Sequence, residues 1–144
     1  MCGIFGTVKN AKLNPRSDRL KDILDSLYRL SETRGKEASG VALLNQKVIS
    51  VYKEPMRGTR FIKKQTYRKL LEQNTQHTHV VLGHSRLATN GPQTDNRNNQ
   101  PVVAGDIVGI HNGIIVNDQQ LWKTILKKKR AYDVDTESIL ELIR

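Results

Sequence analysis

Short β-branched runs alternate along this sequence with helical apolar stripes, and that alternation restricts the chain to folds that mix sheet and helix. Ile4-Phe5-Gly6-Thr7-Val8 reads as a buried strand. Asn14-Pro15 then supplies a cap and first-turn pair for a helix that stops near Arg34-Gly35. Leu20, Ile23, Leu24, Leu27 and Leu30 fall at helical spacing and form its apolar stripe. Val41 to Leu44 and Val48 to Tyr52 read as a hairpin across Asn45-Gln46-Lys47. Phe61 to Leu71 reads as a basic helix with Tyr67, Leu70 and Leu71 on its buried side. Val80-Val81-Leu82 and Ile107 to Ile110 are further candidate buried strands. Asn117 or Asp118 caps a helix that buries Leu121, Trp122, Ile125 and Leu126, with Lys127 to Arg130 at its C-terminal end. A last helix begins near Asp135 and carries Ile139, Leu140 and Ile143.

At 144 residues the chain has room for one domain, 1–144, with a core of its own. No repeat or linker divides it, and no window is long and apolar enough for a membrane span. No secretion signal is visible and a single cysteine excludes an internal disulfide, so the expected location is cytoplasmic. The histidines lack metal-ligand spacing and no phosphate-binding glycine loop occurs, so neither a metal nor a cofactor is expected. The net charge of +10 points toward a polyanionic partner when taken alone.

The single cysteine is Cys2, directly after Met1 and before Gly3. Removal of Met1, expected before a small residue, leaves Cys2 as the N-terminus. An α-amino group of pKa ~7.7–8.0 is a usable base near neutral pH. It can take the proton of a thiol on the same residue, which then needs no catalytic histidine. A small apolar cysteine opening a buried strand is the plainer alternative.

Cys2-Gly3-Ile4-Phe5-Gly6 resembles the N-terminus of the class II glutamine amidotransferases, the N-terminal-nucleophile glutaminases. Arg34-Gly35-Lys36-Glu37-Ala38-Ser39-Gly40 resembles their Arg-Gly-x-Asp-x-x-Gly segment, with Glu37 in place of Asp. Gly83 to Gly91 resembles their His-x-Arg-x-x-Thr-x-Gly segment, His111-Asn112-Gly113-Ile114-Ile115 their Asn-Gly segment, and Asp135-Thr136-Glu137 their Asp-Thr-Glu. The motifs occur in the family's order along the whole chain. The form His-Asn-Gly-Ile-Ile is most similar to that of the glucosamine-6-phosphate synthases. Leu87 stands where those synthases have Trp, and Asn90 and Gln100 stand where they have His.

The resemblance implies an α+β fold, a four-layer αββα sandwich, here C-terminally truncated. It implies hydrolysis of the side-chain amide of L-glutamine through a thioester on Cys2, with ammonia passed to an acceptor on a partner domain or subunit. Arg86 is the expected clamp for the substrate carboxylate, and Asp135 for its ammonium. Asp135 also suits a plain helix cap. Asn112 and Gly113 are the expected oxyanion hole, although Asn-Gly is equally a turn signal. Thr89 is expected to hold the substrate end and Arg34 to shape the cleft. His84 and His111 read as structural. The rival reading is an inert nucleic-acid- or anion-binding protein on the same scaffold. It rests on Arg57, Arg60, Lys63, Lys64, Arg68 and Lys69 and on the Lys127–Arg130 run.

Overall fold

Strand β1 (Gly3–Val8) lies antiparallel to a strand some eighty residues away, β4 (Val80–Arg86), with Gly3 opposite Ser85 and Val8 opposite Val80. Strands β2 (Ala38–Leu44) and β3 (Ile49–Glu54) form the expected hairpin, and β2 pairs with the other side of β4. The result is a four-stranded antiparallel sheet ordered β1-β4-β2-β3. The computed structural model describes residues 1–10, 17–45, 48–74, 76–88 and 91–144. The expected Asn14-Pro15 cap, the hairpin positions 46 and 47, and Thr89 with Asn90 lie outside the described residues.

One face of this sheet carries three helices: α1 (Ser17–Ser31), α2 (Gly58–Phe61) and α3 (Gln65–Asn74). Val41, Leu43 and Val81 point into a cluster with Leu20, Leu24, Tyr28, Phe61, Tyr67 and Leu71. The α1 stripe is rotated from its expected position. Ile23 and Leu30 are exposed, while Tyr28 is fully buried, and its hydroxyl donates to Gly40 O at 2.6 Å. The aromatic side chain buries more area than either aliphatic, and a satisfied hydroxyl removes the cost of placing it there. The basic helix also differs, breaking after Phe61 into α2 and α3. This places Phe61 among the rings of Tyr28, Tyr52 and Tyr67.

The opposite face is covered only in part. At Gly40 a Cβ would sit 2.1 Å from Gln100 O, so the 98–101 segment lies directly on β2 there. Strand β1 departs from the expected buried strand: it is an edge strand, with Ile4 49% and Val8 81% exposed. Beyond the 98–101 segment, β5 (Val102–Ala104) and β6 (Ile107–Gly109) form a two-stranded antiparallel ribbon. Helix α5 (Thr136–Ile143) packs on it, with Leu140 against Gly109 and beside Val102, Ala104 and Val134. Ile143 is exposed.

The expected helix after Asn117 is short. α4 (Asp118–Leu121) passes into one π-helical turn, Trp122–Leu126, closed by Lys127 in a left-handed conformation. Only Trp122 of its four apolar residues is buried, and Ile125 is exposed. Cation–π contact between Arg130 and the Trp122 ring, with the Arg130–Asp118 ion pair at 2.7 Å, holds this turn in place of a longer apolar face. The architecture is thus α+β, with antiparallel sheets. None of the helices is long and apolar enough to cross a membrane among the described residues.

Candidate active site

The pairing of Gly3 with Ser85 carries Cys2 to the end of β4, on the face opposite the helices. Its Sγ accepts from Leu87 N–H and donates to Leu87 O, both at 3.4 Å. Its backbone N–H donates to Asn112 Oδ1 at 3.0 Å, a contact across 110 residues of sequence. Arg34 Nε donates to Cys2 O at 3.1 Å. Cys2, Asn112 and Arg34 thus meet.

Gly35 explains how the Arg34 segment comes so close. A Cβ at Gly35 would lie 2.4 Å from Ser85 O and 2.5 Å from Arg86 C, so only glycine lets the two backbones touch. Glu37 fastens the same junction. Its N–H donates to Arg86 O at 3.1 Å and its carboxylate accepts from Ala88 N–H. The segment also walls an open cleft of about 470 Å³ lined by Met1, Leu87, Thr33, Arg34, Lys36 and Glu37. Arg86, Asn112 and Asp135 are not on its walls.

Arg86 is 4% exposed and bonds Asn99 Oδ1 through Nη1 and Gly91 O through Nη2, each at 2.7 Å. Burial lowers its pKa, and the proximity of Cys2 and the Glu37 carboxylate works in the opposite direction. Asp135 is buried and does not use its side chain as a helix cap. Its Oδ2 instead accepts from Ile115 N–H at 2.7 Å, and its Oδ1 stands 4.0 Å from His111 Nδ1. The Asn112 loop is therefore held from the Asp135 side as well as by Cys2. Gly113 is exposed beside the His111 ring, and no β-hairpin follows it.

His84 lies within β4, fully buried, with no hydrogen bond to either ring nitrogen among the described residues. Desolvation pushes its pKa down to about 4; the nearby His111 backbone opposes this and the charge of Arg86 reinforces it. It is a neutral imidazole at physiological pH, in keeping with a structural role.

Similarity to known proteins runs along nearly the whole chain. The chain is 33% identical over 146 residues to the glutamine–fructose-6-phosphate aminotransferase (isomerizing) of Pyrococcus horikoshii, across 99% of this chain and 22% of that protein. The enzymes of the same name from Sulfolobus acidocaldarius and Thermococcus kodakarensis are each 35% identical, again across 99% of this chain. The chain is a relative of the class II glutamine amidotransferases. It spans about a fifth of the length of these curated relatives, 22–23%. No family model matches it. A solved structure titled as a complex of the β-clamp processivity factor and the little finger domain of PolIV aligns at a TM-score of 0.43 and 14% identity, too loosely to inform the fold.

Within this amidotransferase relative, sequence reasoning overlooked a layer of residues behind the motif side chains. Asn98 and Asn99 are at most 1% exposed, and Lys53 Nζ donates to Asn99 O at 2.7 Å. Burial lowers the Lys53 pKa to about 8, with Arg86 adding to the shift and Asp95 opposing it. A run of carboxamides before a proline reads as loop composition, so its burial carried no sequence signal. Among the described residues no cluster of His, Cys, Asp and Glu could hold a metal ion.

Proposed function

We propose that this chain is the glutaminase part of a glutamine amidotransferase, with Cys2 as its nucleophile once Met1 is removed. The contact of Cys2 N with Asn112 Oδ1 carries the reading. It puts the future α-amine and the carboxamide of the Asn-Gly motif on one another, and it leaves Asn112 Nδ2 to donate elsewhere.

The reaction then runs as acyl transfer. The α-amine of Cys2 takes the thiol proton, and Sγ attacks the side-chain amide carbon of glutamine. Asn112 Nδ2 and the Gly113 N–H receive the developing oxyanion. Collapse passes a proton to the leaving nitrogen, breaks the C–N bond, and releases ammonia from a γ-glutamyl thioester. Water, deprotonated by the same amine, attacks the thioester carbon, and glutamate leaves as the thiol is restored. Arg86 is proposed to clamp the α-carboxylate of the substrate, and Asp135, beside Ile115 and His111, its ammonium. Thr89 is proposed to hold the substrate end, and Arg34 fixes the Cys2 backbone. Ammonia goes to an acceptor on another domain or chain, in keeping with relatives nearly five times as long. The layers around the site support a reading of the fold as an N-terminal-nucleophile sandwich.

The test is ammonia and glutamate release from L-glutamine by protein whose N-terminus is verified as Cys2. Turnover lost in Cys2→Ala supports the mechanism, whereas equal turnover in that variant rejects it.

A further inference from the structure

Three consecutive carboxamides, Asn98, Asn99 and Gln100, are 1%, 0% and 8% exposed, and each side chain grips a different part of the candidate site. Gln100 pairs with the backbone of His111 in both directions: His111 N–H donates to Oε1 at 2.5 Å, and Nε2 donates to His111 O at 3.0 Å. His111 directly precedes Asn112 and Gly113. Asn99 Oδ1 accepts from Arg86 at 2.7 Å, while Asn99 Nδ2 donates to Gln93 O and Asn96 Oδ1. Asn98 Oδ1 accepts from Asp133 N–H at 2.9 Å and its Nδ2 donates to Asp133 Oδ2 at 3.3 Å, close to Asp135 in the chain.

We propose that Asn98-Asn99-Gln100 is a carboxamide clamp that positions the Asn112–Gly113 loop, the Arg86 guanidinium and the Asp135 loop against one another. The proposal rests on the glutaminase reading above. A carboxamide offers one acceptor and one donor group in a fixed plane, the same complement as a peptide unit. Gln100 therefore acts as an added rung that holds the loop as a strand would. Its neighbours do the same for Arg86 and Asp133 from a single rigid stretch of backbone, itself tied to β3 by Lys53. Because the three amides are buried, water does not replace a lost bond. Displacements of about 1 Å at groups that receive developing charge cost ~10²-fold in rate, so a clamp on those groups sets turnover without touching substrate. All three are positioning residues.

Two near-isosteric changes separate this role from general stability. In Gln100→Glu the carboxylate keeps the bond from His111 N–H and loses the one to His111 O. The expected result is a kcat lower by ~10²-fold with little change in KM, recovering as the pH falls and the protonated carboxyl donates again. In Asn99→Asp a carboxylate faces Arg86 and competes with that of glutamine, so KM rises by about tenfold or more while kcat changes less. Amide hydrogen exchange gives a readout independent of turnover: Gln100→Ala speeds exchange at His111 and leaves the β4 amides unchanged. Kinetics unchanged in both variants overturn the clamp. So does a parallel loss of kcat and thermal stability without pH recovery. An inert wild type overturns the glutaminase reading instead, and exchange then decides the clamp: faster exchange at His111 supports it, and unchanged exchange overturns it.

Discussion

Asn112 makes its contact with Cys2 through Oδ1, so in the proposed mechanism Nδ2 is the end of the amide that donates to the oxyanion. Asn112→Ala is expected to fold normally, to retain labelling of Cys2 by electrophiles, and to lose ~10²–10³-fold in kcat. Steady-state kinetics together with a labelling time course check this. His84 gives a second prediction at this scale. Its pKa of about 4 in the folded chain lies below the ordinary 6.5, so between these values the unfolded chain binds more protons. Stability is therefore full above about pH 6.5, falls as the pH drops, and is lowered by about 3 kcal/mol below pH 4. Denaturant unfolding at neutral and acid pH should show that slope shrink in His84→Phe. At the residue scale the motif side chains were legible as residue types in order, and the structure joins Cys2 to Asn112 and Asp135 to Ile115 in the loop that follows. The clamp behind them was not. Amides that hold backbone have no distinctive spacing, and Gln100 stood out only as a residue that differs from the family's histidine.

The elements were read well where periodicity was strong and poorly where an aromatic or a cation changed which side is buried. Helix α1 was expected to bury Ile23 and Leu30, but Tyr28 turns the helix toward Gly40 and leaves both outside. Tyr28→Phe should cost about 1–2 kcal/mol in unfolding free energy, since Gly40 O loses a buried donor while the ring packing stays. The 98–101 segment and β5 escaped notice because Val102 to Ala104 is too short for a period to show. The Arg34-Gly35 junction was read as a helix stop or cleft wall; it does wall the cleft, and Gly35 is in addition a close crossing against β4. Gly35→Ala forces Ser85 and Arg86 apart. It is expected to cost roughly 1–3 kcal/mol and to lower Cys2 reactivity as well, measured by unfolding and alkylation of the same preparation.

Across the whole molecule, two apolar clusters sit on opposite sides of the main sheet, and the site lies on the side away from α1–α3. The cations Arg60, Lys63, Lys64, Arg68 and Lys69, on α2, α3 and the turn between them, are exposed. Replacing Arg60, Lys63, Lys64 and Lys69 with Gln is therefore expected to leave Cys2 labelling unchanged while reducing any salt-dependent binding to polyanions. Alternation alone gave a class that mixes sheet and helix and the resemblance gave α+β, whereas the partial cover of the second face could not be read from a pattern that repeats only locally. The central claim is that Cys2 is a glutamine-directed nucleophile, and the glutamine analogue 6-diazo-5-oxo-L-norleucine tests it most directly. Intact-mass and peptide analysis of protein beginning at Cys2 should show one adduct per chain, on Cys2, suppressed by L-glutamine and missing in Cys2→Ala. An unmodified chain, or labelling indifferent to glutamine, would contradict it.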